Sequence, residues 1–143
     1  MFYQFDGVTS GCAMQAIQEI PDAAVIELTR AGCVYAWRGI VFFGDVTIAG
    51  VRHQDMVYWS DKDAPLSLDP AAEGTVAGSQ RLDYGERIMG FVALHNNLLV
   101  CTTRGIWQMT VTTDTSSADS PVFYFQKLYS EMASGEACIV YQN

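Results

Sequence analysis

Apolar and polar positions along this chain keep a short period over most of its length. Runs rich in branched and aromatic side chains occupy residues 25–29, 33–37, 40–46 and 56–60, separated by glycine or charged turns, and they predict β-strands. Four more runs, at residues 88–95, 98–103, 106–112 and 122–129, are joined by Asn96-Asn97, Arg104-Gly105 and a polar stretch over residues 113–121. Asparagine tolerates the left-handed backbone of a tight hairpin, so Asn96-Asn97 predicts a two-residue turn. Ile106, Gln108 and Thr110 alternate with Trp107, Met109 and Val111, which predicts a strand with one wet face. Residues 33–43 are apolar almost throughout and predict strands covered on both faces.

Two stretches depart from the β pattern. Between residues 61 and 85 the turn formers Asp61, Asp63, Pro65, Asp69, Pro70, Gly74 and Gly78 have few apolar neighbours, and one long ordered loop is expected. Over residues 8–22, Ala13, Ala16, Ile17 and Ile20 recur at offsets of three and four, after Ser10 and before Pro21. That spacing predicts a short amino-terminal helix.

A short apolar strand running into a polar turn occurs three times: Cys33-Val34-Tyr35-Ala36-Trp37-Arg38-Gly39, Phe91-Val92-Ala93-Leu94-His95-Asn96-Asn97 and Cys138-Ile139-Val140-Tyr141-Gln142-Asn143. The copies recur about 50 residues apart, near the roughly 40 to 50 residues of a propeller blade repeat. In the first two, a second apolar strand follows at once; the third ends at its turn. Four consecutive antiparallel strands on such a repeat make a propeller blade. The expected fold is therefore all-β: an amino-terminal segment over residues 1–30, then antiparallel β-propeller blades over residues 31–143. Those residues supply about two blades and the first strand of a third, an incomplete propeller. An unpartnered strand recruits another chain, so Cys138, Ile139, Val140 and Tyr141 are the expected assembly strand, pairing with another polypeptide or with residues beyond this chain.

Composition narrows the function. The chain has 143 residues and is 50% hydrophobic, enough for a real core, so disorder is a poor account of its 12 glycines. Its formal charge of −8 comes from 16 acidic against 8 basic residues, and its lysines are Lys62 and Lys127. Without a basic stripe, neither specific nucleic-acid binding nor adsorption to an anionic membrane is expected. The amino terminus lacks the positive start and apolar run of a secretory signal, and no stretch approaches the roughly 18 apolar residues of a membrane span; a soluble chain is expected. Cys12, Cys33, Cys101 and Cys138 form no CxxC pair and are expected to be buried reduced thiols.

No catalytic constellation is visible. His53 and His95 lack a second ligand at metal spacing and are expected as solvated turn residues. Asp61-Lys62-Asp63 places two carboxylates two residues apart but lacks the rest of a calcium cage, so these side chains are expected to cap backbone amides. Asp83, Glu86 and Arg87 are expected to face solvent. Ser10, Ser60, Ser67 and Ser79 lack a nucleophile elbow, and no glycine-rich phosphate loop precedes a helix. Trp37, Trp59 and Trp107 could offer stacking platforms for a sugar. Their strand positions favour packing between sheets, and Trp59 and Trp107 are expected to be buried. The residues thus predict no enzyme, no cofactor and no metal.

With the strands placed, the order of motifs resembles the propeller part of the tail nozzle (tail tubular) proteins of short-tailed bacteriophages. The matching pieces begin with Val34-Tyr35-Ala36-Trp37-Arg38-Gly39 into Ile40-Val41-Phe42-Phe43-Gly44, then Val57-Tyr58-Trp59-Ser60-Asp61 with Asp63 and Pro65 behind it, and Ala77-Gly78-Ser79. They continue with Ile88-Met89-Gly90-Phe91, Asn97-Leu98-Leu99-Val100 and Gly105-Ile106-Trp107-Gln108-Met109, and close on Phe123-Tyr124-Phe125. The resemblance implies a virion structural protein of the phage tail, without enzymatic activity, acting in tail assembly and genome ejection and assembled in the host cytoplasm. It implies a homo-oligomeric ring, a hexamer, contacting other tail or adaptor subunits. An acidic wall suits such a conduit because it does not hold DNA back. The first thirty residues lie outside the resemblance. A different-class expectation is a soluble propeller that recognises a carbohydrate or peptide, and a third is a hydrolase with its catalytic residues in further blades.

Overall fold

The structure, a computed structural model, describes residues 3–5, 14–16, 28–65, 67–111 and 123–129. Within them the chain is all-β and contains no helix. Strands β1 (Tyr3–Phe5) and β2 (Met14–Ala16) form an antiparallel pair, with Gln4 opposite Gln15. The helix expected over residues 8–22 is thus corrected where β2 falls. Its apolar positions are few and Gly11 interrupts them, so the helical period is too weak to compete with pairing to Tyr3–Phe5. The rest of that segment, and residues 130–143 with the expected assembly strand Cys138 to Tyr141, lie outside the described residues.

Strands β3 (Leu28–Trp37), β4 (Ile40–Ile48), β5 (Val51–Trp59) and β6 (Gly78–Arg81) pair in sequence order into a four-stranded antiparallel sheet. Strands β7 (Ile88–Leu94), β8 (Asn97–Thr102), β9 (Ile106–Val111) and β10 (Phe123–Tyr129) form a second sheet of the same kind. The β3–β4 turn is Arg38-Gly39, with both φ angles positive at 52° and 79°, the type I′ geometry that matches strand twist. The β7–β8 turn is His95-Asn96, one residue earlier than Asn96-Asn97 predicts, and His95 carries the positive φ of 52°. Strand β6 falls inside the expected loop of residues 61–85. Gly78-Ser79-Gln80-Arg81 has no branched or aromatic side chain to announce a strand, and pairing with β5 alone creates it.

The two sheets face each other across one core. Ile40, Phe42, Val57 and Trp59 of the first meet Ile88, Phe91, Leu98, Val100, Met109 and Phe123 of the second. Phe42 is central: its ring lies 6.2 Å from Phe91 and 5.6 Å, edge-on, from Phe123. The backbones come closest where β3 passes β7. Gly44 permits this, since a β-carbon there would stand 2.6 Å from Ile88 Cγ2 and 2.8 Å from Cys33 Sγ. The opposite face of the first sheet has its own cluster of Leu28, Ala31, Phe43 and Val46, covered by Leu68 from the β5–β6 connection. Strand β4 is therefore buried on both faces, as its continuous apolarity predicts. Strand β3 is not: Val34 is 45% exposed and Ala36 is exposed, so the expectation of two covered faces is corrected for this edge strand.

Candidate functional site

Three carboxylates inside or beside the strands organise the junction of the sheets. Asp45 sits at a bulge between Gly44 and Val46, with a left-handed φ of 54° and 2% exposure. A charge buried in an apolar strand must be paired. Arg52 of β5 donates Nε to Oδ1 at 2.6 Å and a terminal nitrogen to Oδ2 at 2.5 Å, a forked pair. Arg87, just before β7, donates Nε to Oδ2 at 3.2 Å, so one carboxylate ties both sheets. Burial alone would raise the Asp45 carboxyl, but the Arg52 hydrogen bonds and the charges of both arginines outweigh it and hold it below its ordinary value.

Glu86 was expected to face solvent and is 3% exposed. It accepts the Thr102 hydroxyl at 2.6 Å and the Trp107 indole N–H at 3.5 Å on Oε2, and Lys127 Nζ on Oε1. Lys127 also reaches Asp83 at 2.5 Å and lies 5.5 Å over the Trp107 ring. Burial raises the Glu86 carboxyl, and the hydrogen bonds from Lys127, Thr102 and Trp107 more than reverse this, leaving it below its ordinary value. Asp55, the third carboxylate, holds Arg81 at 3.6 Å and accepts the Gly85 N–H at 3.4 Å.

Between the outer strands of the two sheets lies an open cleft of about 360 Å³. Trp107, Phe123 and Phe125 of β9 and β10 form one wall, and Gln80, Arg81 and Asp83 of β6 and its continuation form the other. Trp59 backs the aromatic wall, 5.2 Å edge-on from Phe123 and 5.9 Å from Phe125, and its indole N–H is fixed on Val76 O at 2.7 Å.

Of the residues singled out in the sequence for chemistry, Trp107 and Asp83 line this cleft and the others do not. Trp59 is buried as expected, whereas Trp107 is only half-buried because it lines the cleft. Trp37 is half-buried with the Arg38 guanidinium 4.7 Å above its ring. His95 is exposed in its turn; His53 lies within β5, not in a turn, with Nδ1 3.3 Å from Arg81. Asp61 caps amides as expected, accepting Lys62 N–H at 2.8 Å and Val76 N–H at 2.9 Å. Ser60 is buried, accepting Val41 N–H at 3.0 Å and donating to Asp61 O. Among the described residues no group of three or more His, Cys, Asp or Glu is placed to hold a metal ion.

Cys33 is a free thiol, pushed up to about 12 first by burial and then by the Asp45 charge, so it stays protonated and acts as a small hydrophobe. Cys101 is disulfide-bonded, which corrects the expectation of four reduced thiols; Cys12 and Cys138 lie outside the described residues. Spacing alone carries no signal for that bond, because pairing depends on which strands the fold brings together. Sequence reasoning also missed Asp45, Gln80, Arg81 and Lys127. The signal for Asp45 was present, a lone carboxylate inside Phe42-Phe43-Gly44-Asp45-Val46.

No protein-family model matches the chain, and no curated protein matches it. Among the described residues no helix is long and apolar enough to cross a membrane.

Proposed function

We propose that the chain is a structural component of a short-tailed bacteriophage tail, built of β-propeller blades and working through assembly contacts and not through catalysis. One observation carries the reading. The two meanders stand side by side in the same orientation, with equivalent turns as neighbours: Arg38 of the β3–β4 turn donates to Asn96 Oδ1 of the β7–β8 turn at 3.0 Å, 58 residues apart. Successive four-stranded blades set around an axis bring like turns together on one rim in this way. A two-fold axis that set β7 over β3, as here, would put the same turns at opposite ends.

The charge of −8 supports the conduit role, since a wall of like sign to DNA does not retain it during passage. In this reading the chain works in a homo-oligomeric ring that contacts other tail and adaptor subunits, as its resemblance to tail nozzle proteins implies. The test is direct. Virions from the phage carrying this gene, purified on a density gradient and analysed by peptide mass spectrometry, should contain the chain, and antibodies against it should label the tail in electron micrographs. A gene set among portal and adaptor genes would accompany that result. Virions free of the chain would overturn the reading.

A further inference from the structure

We propose that the cleft between β6 and β10 is a binding site for a short neutral saccharide. The proposal does not rest on the tail reading; it stands on the chemistry of the two walls.

The walls differ in kind. Trp107 and Phe125, both half-buried, present aromatic surface from the second sheet over the buried Phe123, while Gln80, Arg81 and Asp83 present an amide, a guanidinium and a carboxylate from the first. A pyranose is built the same way, with apolar C–H faces and a rim of hydroxyls. Its face can lie on the aromatic wall while its hydroxyls meet groups that both donate and accept. Planar polar side chains suit this task because each can engage neighbouring hydroxyls in pairs.

Charge decides against an anionic ligand. Arg81 is paired with Asp55 at 3.6 Å, and Lys127 is shared by Asp83 at 2.5 Å and Glu86, so every positive charge beside the polar wall is already engaged by a carboxylate. What remains is hydrogen-bonding capacity with one carboxylate in excess, which selects an uncharged polyhydroxylated partner over a phosphate, a sulfate or an acidic peptide. Size agrees: about 360 Å³ stands at the low end of ligand clefts, which run from about 300 to 1,000 Å³. One or two sugar rings suit that space. The aromatic wall is also set beforehand, because Trp59 is locked by its bond to Val76 O and braces Phe123 and Phe125. A preformed wall lowers the ordering cost of binding.

The experiment is a titration of the isotopically labelled full chain, followed by NMR, with glucose, galactose, N-acetylglucosamine, cellobiose, maltose and lactose. At least one should give saturable shifts of the Gln80, Arg81 and Phe125 amides and the Trp107 indole N–H, with a Kd of about 1 mM or tighter. Gln80 is exposed, so Gln80→Ala should leave the melting temperature unchanged and weaken binding about tenfold, the value of one lost hydrogen bond. Trp107→Phe should weaken binding to a similar degree. No shift at about 100 mM sugar, far above such a Kd, would overturn the proposal. So would equal binding by Gln80→Ala, or binding confined to sialyllactose or a heparin fragment and abolished by salt.

Discussion

Asp45 concentrates in one side chain what holds the sheets in register. Its left-handed backbone turns the carboxylate toward Arg52 and Arg87, and Asn is among the few residues that share this conformational tolerance. Charge-assisted hydrogen bonds contribute about 1.5–3 kcal/mol. Both arginines are about half exposed, which places this set toward the lower end, so Asp45→Asn should cost about 1.5 kcal/mol at neutral pH. The pH dependence follows from the direction of the shift. Asp45 and Glu86 both lie below their ordinary values of 3.8 and 4.5 in the folded chain. Each therefore adds stability that is complete above its ordinary value and is lost as pH falls through the lower, folded one. Lys127 is raised above 10.5, so its contribution is complete below that pH and is lost as pH rises through the folded value. Melting temperature should hold a plateau at neutral pH and fall on acidification below about 4.5, in keeping with the linkage. The Asp45→Asn curve should lie below wild type on the plateau and converge with it in acid, where Asp45 is itself protonated. Parallel curves would show that the carboxylate charge contributes nothing.

At the scale of the strands, β6 shows how tertiary structure can create an element that local preference does not announce. Its first residue, Gly78, lies under the Trp59 indole; a β-carbon there would be 2.8 Å from Cζ2. The ring cannot retreat, because it is fixed on Val76 O and against Phe123. Gly78→Ala should therefore cost about 1–3 kcal/mol, the usual range for overpacking. It should act locally, speeding hydrogen exchange in β6 before β4. Equal exchange in both strands would place the strain elsewhere. The same contrast explains what the sequence disclosed. Strands β4 and β7 to β10 and the second half of β5 were legible because branched and aromatic residues fill a buried sheet face, and that composition is local; Val51 to Asp55, expected as a turn, is the first half of β5. Gln80 and Arg81 of β6 were not, since their strand is stabilised by β5 and their role by a wall in the other sheet. Met14–Ala16 was misread because Ala13, Ala16, Ile17 and Ile20 recur at helical offsets, a weak local signal that pairing overrides. Glu86 looked like a surface residue in a charged stretch. Only the arrival of Thr102, Trp107 and Lys127 from three other strands makes its burial tolerable.

For the whole molecule, the decisive relation is that two sheets of independent hydrogen bonding share one core. Two sheets that share a core are stabilised by their own pairing and by the interface between them, and here that interface is concentrated on Phe42. Its ring meets Phe91 and Phe123 of the second sheet and Trp37 of its own, 6.4 Å away. The Asp45 and Arg38 contacts add polar ties at the same junction. If the interface governs folding, removing the Phe42 ring should harm both sheets, although the residue belongs to only one. Phe42→Ala should cost about 3–5 kcal/mol, as a fully buried aromatic does. Hydrogen exchange of Leu98 and Val100 in β8 should then accelerate together with that of Phe43 and Val46 in β4, and thermal unfolding should remain a single transition. Should β8 keep its protection while β4 loses it, the sheets would be separate folding units that merely touch. The proposal of blades coupled around an axis would then lose its energetic basis.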